Sequence, residues 1–373
     1  MVRSRFPRDL LLLAALAGVY FVAGKLGLKL AFLNASASAV WPCTGIALAA
    51  VLILGYRVLP AILIGAFLVN LTTAGSVATS IGIAVGNTLE GVVGCYLVPR
   101  FAGGQRAFER AHDIFKFGFL AAVVSTSVSA TIGVTSLALG GFAKWAMYGP
   151  IWCTWWLGDA VGGLVVTPLL LLWRENPRLN WTRKQMIELA LLFAGLFFTG
   201  WIVFGGRFHS ALKNYPLEYL CIPFLIWAAF RFGRRKAATA ICVLAVIAAW
   251  GTLHAFGPFS RESQNTSLLL LQSFMGIVAV TTLALAAEVT EHKRADEHIR
   301  QFTGLANYRR LLDAFDSEIK RYGRTGRCFA VLLLDLDGLK KINDAHGNLV
   351  GSRALCRLAN ILRIHFRGID TAA

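Results

Sequence analysis

Two groups of side chains in this sequence have types and spacings that could do chemistry. In one apolar run Asn87, Glu90 and Gly94 lie at i, i+3 and i+7, and in another Trp152, Trp155 and Asp159 repeat that spacing. Residues so spaced share one face of a helix, so each run presents a carboxyl on a defined stripe. Gly162 and Gly163 follow Asp159 by a turn and would let a second helix approach closely. An ionisable group in hydrocarbon is costly unless paired or hydrated, which makes Glu90 and Asp159 candidates for function. One reading is a cavity between helices, floored by the two acids, walled by Trp152 and Trp155, and open from outside to a polar or cationic ligand. The other is structural: the acids are protonated, or hydrogen-bonded to Asn70, Asn87 or a serine of a neighbouring span, and fix helix packing, as polar contacts between spans commonly do. The second group lies near residue 335. The apolar run Phe329–Leu334 has strand length, reads as buried on both faces, and ends in Asp335-Leu336-Asp337. Two carboxylates there form either a platform for a hard divalent ion such as Mg²⁺ or a solvated strand end with a local turn.

The elements that position these residues follow from composition. Of 373 residues, 56% are hydrophobic and 15% charged, against roughly 45–50% and about 25% in an ordinary soluble domain. A water-soluble globule is excluded, and runs long enough to cross a bilayer recur from residue 1 to about 290. The pattern predicts ten spans, at about 10–32, 39–55, 58–73, 77–98, 114–139, 149–173, 186–205, 217–232, 237–256 and 267–289, with eight as the other even count. The net charge is +17, and its distribution decides between nucleic acid and membrane topology. With the N-terminus inside, sixteen cations fall on the inner side: Arg3, Arg5, Arg8, Arg57, Arg100, Arg106, Arg110, Lys116, Arg174, Arg178, Arg183, Lys184, Arg231, Arg234, Arg235 and Lys236. Six fall outside: Lys25, Lys29, Lys144, Arg207, Lys213 and Arg261. That alternation places both ends in the cytoplasm and leaves no stripe for nucleic acid. Lys25 and Lys29 share a helix face and could snorkel to the outer interface, and Glu188 and Glu218 read as solvated span ends. The first span also has the basic and apolar segments of a signal peptide, a likeness that polytopic first spans share. The seven cysteines form no CxxC pair and read as small hydrophobes.

The stretch Ala39-Val-Trp-Pro-Cys-Thr-Gly-Ile-Ala-Leu48, then Gly65 to Asn70, Gly86 to Glu90, and Trp155-Trp-Leu-Gly-Asp159 running on to Pro168, resembles the bacterial membrane-associated sensor domain of the first MASE type. The resemblance covers nearly the whole apolar part and implies a multi-pass sensor of the inner membrane, set in the lipid bilayer ahead of a cytoplasmic output. Its ligand, small molecule or protein, is not defined by the likeness. Cys43 departs from the pattern, which often has a second proline there.

From Glu288 the composition turns charged and helix-favouring without Gly or Pro through Arg300, as a signalling helix would be. A further helix is predicted over 308–322, with Leu311, Leu312, Phe315 and Ile319 on one stripe. The ordered series Gly304 to Arg310, Asp335 to Asp344, Gly347, Gly351, and Leu362 to Asp370 is similar to the N-terminal half of a GGDEF domain, the diguanylate cyclase family. That resemblance implies GTP as substrate, cyclic di-GMP as product and Mg²⁺ as cofactor. It implies a homodimer, or pairing with intact GGDEF proteins. It assigns Asp335 and the Leu336 carbonyl to the metal, Lys340 to phosphate, Asn343 to the guanine edge, and Arg367 and Asp370 to an inhibitory product site. Asn348 stands where the family has His, and Ser352 where it has the Asp that accepts from guanine; a hydroxyl offers no paired, charged acceptor. The 373 residues contain no GG(D/E)EF motif, so catalytic residues are expected to be absent and the half-domain only partly ordered.

The architecture expected is therefore a polytopic all-α membrane domain of about ten transmembrane helices at 1–289, a linker helix at 290–302, and a truncated α/β GGDEF-like domain at 303–373. The function expected is signal reception in cyclic di-GMP signalling. A non-enzymatic sensor or scaffold that pairs with intact cyclases is the alternative, and a transporter using Glu90 and Asp159 is a third.

Overall fold

The computed structural model describes residues 6–28, 31–34, 37–38, 40–73, 75–175, 182–206, 215–303, 305–306, 308–367 and 370–372, without the side chains of 6–8, 31–34, 37–38, 295–303, 308–309 and 348–349. Arg3, Arg5, Lys29, Arg178, Arg207 and Lys213, which the topology reading uses, lie outside the described residues, as does the side chain of Arg8. The chain divides into two units, Met1–Thr290 and Glu291–Ala373.

The first unit is helical. Its elements are α1 (Phe6–Leu28), a short antiparallel pair β1 (Ala31–Asn34) and β2 (Ala37–Ser38), α2 (Pro42–Leu54), α3 (Leu59–Leu71), α4 (Val77–Phe101), α5 (Ala111–Leu139), α6 (Tyr148–Glu175), α7 (Arg183–Phe204), α8 (Ile222–Phe232), α9 (Arg234–Leu253) and the start of α10 (Gln264–Thr303). Local chemistry sets the ends. Pro42 opens α2 at a position where a missing N–H costs nothing. Ser76 with Thr79 closes a reciprocal capping box on α4, and Thr182 with Gln185 does the same on α7. Gly55 and Gly233, both at positive φ, turn the chain between α2 and α3 and between α8 and α9.

All ten expected runs are helical, but length separates them. Among the described residues seven helices are long and apolar enough to cross a membrane: α1, α4, α5, α6, α7, α9 and α10. At 13 residues each, α2 and α3 reach only about 20 Å, and α8 has 11 residues, against a hydrocarbon core of about 30 Å. The sequence pattern sees apolarity and not where a helix stops, so length alone picks out seven of the ten runs as candidate spans. Leu11, Phe198 and Ile277 lie on the exposed outer face, as side chains facing lipid do. Lys25 does not project away from the fold: its Nζ donates to Thr72 O at 2.7 Å and Thr73 Oγ1 at 2.8 Å, the negative end of α3. Nor is Glu218 a solvated span end, because it is only 9% exposed in the turn before α8. Glu188 is half-buried and paired, with Arg231 Nε donating to both its oxygens at 2.8 and 2.9 Å.

In the second unit the end of α10 is followed by α11 (Tyr308–Thr325), α12 (Leu339–His346) and α13 (Asn348–His365). Here the expected buried strand requires correction. Residues 329–334 pair with no strand among the described residues, and Leu333 is 98% exposed. A strand is stabilised by neighbours that take its backbone groups and cover its faces, and the described residues of this unit supply none. Phe329 does meet Phe315 of α11 edge to face, with ring centroids 6.2 Å apart.

Candidate functional site

The buried polar site of the first unit is assembled by close backbone packing around α6, the most buried of the long helices. A Cβ on Gly162 would overlap the Trp41 carbonyl oxygen, and one on Gly45 would overlap Gly162 O. These glycines let the start of α2 lie directly on α6, where Trp41 N donates to Gly158 O at 3.0 Å and Thr167 Oγ1 donates to Gly45 O at 3.3 Å. Gly133 of α5 receives the Trp155 ring in the same way, and Gly94 of α4 receives Leu48. Between Gly118 and Ser125 the helix α5 widens to a π-helical turn, an irregularity often found at functional sites. Ser129 stands one turn beyond it.

Ser129 is the hub. Its Oγ donates to Asn87 Oδ1 at 2.7 Å and to Asp159 Oδ2 at 3.0 Å, and it accepts from Trp155 Nε1 at 3.3 Å. Asn87 Nδ2 in turn donates to the Tyr20 hydroxyl at 3.2 Å. Glu90 and Asp159 act on one another electrostatically, and both face Thr44 and Ser129. Glu90 is 2% exposed and Asp159 1%. Glu90 Oε1 and Thr44 Oγ1 are buried and make no hydrogen bond. The structure thus brings Asn87, Glu90, Trp155 and Asp159 together but leaves Trp152 out. Trp152 is half-buried, stacks on Trp156 and donates to Thr131 Oγ1 at 3.0 Å, because on the stripe it shares with Asp159 it lies about 10 Å further along the helix axis. Asn70 is not in the network either; its Nδ2 bonds Ala66 O of its own helix at 2.8 Å.

Sequence reasoning missed Tyr20, Thr44 and Ser129 as members of the site. Thr44 sits inside the quoted Trp-Pro-Cys-Thr-Gly stretch, and the serine-rich run from Ser125 to Ser129 was the other available signal. Tyr20 carries none, being one aromatic in a uniformly apolar helix. A second contact joins α6 to α10: Gln272 Nε2 donates to Thr154 O at 3.1 Å, and Thr154 Oγ1 donates to Asn265 Oδ1.

In the second unit Asp335, Asp337 and Lys340 are exposed at the end of the unpaired run, and Leu336 is half-buried. Gly338 at positive φ starts α12. Asn343 packs against Gly351, where any Cβ would meet its Oδ1, so Asn343 and Ser352 lie at one crossing of α12 and α13. Asn348 begins α13, and its side chain lies outside the described residues. Arg367 and Asp370 close a turn on each other: Arg367 N donates to Asp370 Oδ2 at 2.9 Å and Asp370 N to Arg367 O at 2.9 Å. Asp335 and the Leu336 carbonyl are hard oxygen donors of the kind Mg²⁺ takes together with phosphates and water. No group of three His, Cys, Asp or Glu able to hold a metal occurs among the described residues.

Residues 12–293 match the family model MASE1, and residues 298–373 match the model described as diguanylate cyclase, GGDEF domain. The bifunctional diguanylate cyclase/cyclic di-GMP phosphodiesterase MucR of Pseudomonas aeruginosa is 41% identical over 71 residues, 19% of this chain and 10% of that protein. The response regulator PleD of Caulobacter vibrioides is 40% identical over 70 residues, 19% of this chain and 15% of its own length. The diguanylate cyclase DgcM of Escherichia coli is 30% identical over 114 residues, covering 28% of each chain. The chain therefore spans less than a third of the length of each of these three relatives. No solved structure matches it.

Proposed function

Because the chain belongs to the MASE1 family and carries a GGDEF domain behind it, we propose that it is a receptor of the bacterial inner membrane whose buried polar core governs a cyclic di-GMP output. The observation that carries the reading is the α6 helix. Asp159 sits in the polar core, and five residues before it Thr154 is held by Gln272 of α10, the helix that continues in sequence into the GGDEF domain. A change at the core thus has a hydrogen-bonded route to the element that precedes the output. The unit boundaries, with a membrane domain over 1–289, a signalling helix over 290–302 and the output from 303, are part of this reading.

In the same reading all ten apolar helices cross the membrane, the three short ones with local thinning, and both ends are cytoplasmic. An even count is required if the basic N-terminus and the nucleotide-using domain share one side. Cytoplasm-active reporters fused after Arg110, Arg183 and Lys236, and periplasm-active ones after Lys144 and Lys213, are expected to function. The opposite pattern at Arg183 and Lys213 would refute the count.

Asp335 and the Leu336 carbonyl would hold Mg²⁺, which when bound neutralises phosphate charge. Lys340 would lie by phosphate, Asn343 by guanine, and Arg367 with Asp370 would bind product. Without a GG(D/E)EF motif, and with Ser352 in the guanine position, these 373 residues make no cyclic di-GMP by themselves. Each guanine edge left unpaired costs about 1–3 kcal/mol, and the absent carboxylate removes electrostatic stabilisation at the reacting phosphate. The test is product formed from GTP and Mg²⁺ by the solubilised protein. Formation above an Asp335→Ala control would overturn this part. The receptor part is tested by grafting residues 1–302 onto an intact cyclase and measuring cyclic di-GMP in cells. Glu90→Gln and Asp159→Asn should each change output at equal abundance; unchanged output in both leaves only a packing role. A non-catalytic partner of intact GGDEF proteins is a second reading, favoured by the exposed apolar run 329–334.

A further inference from the structure

The buried core of the first unit holds two carboxyl groups and no counter-charge from the described side chains around them. Glu90 and Asp159 lie side by side, almost wholly removed from solvent, in a helical bundle of the membrane. The groups that face them come from every element packed there: the Tyr20 phenol on α1, the Cys43 thiol and Thr44 hydroxyl on α2, Asn87 on α4, Ser129 on α5 and the Trp155 indole on α6. Among the described residues none of these is a cation. Two ionised carboxyls without counter-charge are untenable in a low-dielectric interior, so the pair is held with a bound proton, a bound cation, or both.

The geometry narrows what binds. Two oxygens of this core, Glu90 Oε1 and Thr44 Oγ1, are buried without a hydrogen-bond partner, and Thr44 faces both carboxyls. Buried polar atoms are almost always satisfied, and an exception is where a bound ion finds free lone pairs. With Asp159, Ser129 and Asn87 Oδ1 they make a set of hard oxygen donors, the kind that takes alkali cations and protons and not soft metals. An organic ligand has no room between side chains already in contact, since Ser129 spans to Asn87 at 2.7 Å and to Asp159 at 3.0 Å. The adjoining glycine surfaces of α4 and α5 are filled by Leu48 and Trp155. Ca²⁺ takes about 6–8 oxygen ligands and Mg²⁺ about six, more than these side chains supply with one oxygen each.

We propose that Glu90, Asp159, Thr44, Ser129 and Asn87 form an internal site in which the carboxyl pair retains one proton and its remaining negative charge takes one small monovalent cation, Na⁺ or a second proton competing for the same oxygens. The proposal rests on the receptor reading only for its signalling consequence, because the cation would be what the core senses. Binding itself pins four helices, α2, α4, α5 and α6, to one charge.

The test uses the whole chain in detergent, with thermal unfolding followed in sodium chloride and in N-methylglucamine chloride at equal ionic strength and at several pH values. A ligand that binds only the folded state raises the unfolding temperature in a saturable way. If Na⁺ is the occupant, sodium stabilises the protein and acid shifts the midpoint to higher sodium. If the proton is, sodium has no effect and acid stabilises in a manner that Asp159→Asn and Glu90→Gln remove. Thr44→Val, which keeps shape, should weaken the midpoint of whichever ion acts by about tenfold or more, so the proposal stays testable if the carboxyl variants fail to fold. Equal stability in both salts with no acid effect overturns it. So does a sodium or acid effect that persists unchanged in Thr44→Val and Asp159→Asn, or stabilisation by Mg²⁺ or Ca²⁺ alone. A cation effect on unfolding with no effect on the grafted cyclase would leave the site standing and sink the receptor reading instead.

Discussion

Val161, Leu164 and Val165 of α6 are 1%, 6% and 2% exposed, whereas Val331, Leu332 and Leu333 of the second unit are 59%, 76% and 98% exposed, although both runs draw on the same residue types. The difference lies in what each backbone needs. A helix satisfies its own N–H and C=O groups, so α6 asks its neighbours only for side-chain contact, and the other helices of the unit supply it. An extended run must find its hydrogen bonds and both its covers elsewhere, and the described residues of the second unit provide Phe315 at one end and little more. Apolar sequence alone therefore does not bury itself; it is buried where the partners are local enough to be present.

Hydrogen exchange should break or uphold this contrast most sharply. Amides of 329–334 are expected to exchange near the rate of an unfolded chain, while those of α6 between Thr154 and Val165 are slower by at least about a thousandfold, the span between local opening and global unfolding. Equal protection in both would mean that the run has partners not seen among the described residues.

The next largest effect is steric. Gly162→Ala puts a methyl into the Trp41 carbonyl, which is backbone and cannot swing aside. A cost of about 3 kcal/mol or more is expected, read as loss of folded protein in detergent. Gly18→Ala in α1, where nothing lies within 4 Å, is the control and should be neutral or better. If both glycines tolerate alanine, the approach of α2 to α6 is looser than described.

Much of this was legible from residues alone, and the failures are instructive. The helices and the meeting of Glu90 with Asp159 followed from period and from the cost of charge in lipid. The glycines after Asp159 correctly announced a close helix. Trp152 was misassigned because sharing a stripe is not sharing a level: seven residues at 1.5 Å each place it about 10 Å along the axis from Asp159, where its ring meets Thr131 instead. Ser129 and Tyr20 were invisible because a hydroxyl in an apolar run is commonplace and only the fold shows what it faces. Hydropathy marks ten runs but does not register that Gly55 and Gly233 end helices early, so length picks out only seven of them as long enough to cross unaided. The strand expected at 329–334 is neither formed nor buried, since both depend on neighbours and not on its own residues.

Ser129→Ala is expected to cost about 1–3 kcal/mol, since it leaves Asn87 Oδ1, Asp159 Oδ2 and the Trp155 N–H to find new partners in a buried site. Chemical denaturation of the solubilised protein measures it. Ser127→Ala in the same helix, whose hydroxyl bonds only Val124 O of its own chain turn, should fall within about 0.5 kcal/mol of wild type. A cost no larger for Ser129 than for Ser127 would show that the polar core contributes nothing to holding α4, α5 and α6 together.

The smallest expected change in stability tests the largest claim about communication. Gln272 is fully buried on α10, and its amide donates to Thr154 O, a carbonyl that α6 already employs within its own helix. Gln272→Leu keeps the volume and removes this extra bond, so its stability cost should stay at about 1 kcal/mol. The Asn265 contact to Thr154 remains in place and holds the two helices in register. In the grafted cyclase, however, the same substitution should blunt the difference in output between wild type and Asp159→Asn, because the clasp joins the helix bearing Asp159 to the helix that precedes the output. The two changes combined should therefore produce no more than either alone, whereas independent sites add. Additive effects on output would mean that the polar core reaches α10 by another path. Packing of Leu164 against Gly276, where a Cβ would lie 3.9 Å away, is the next contact between these helices to examine.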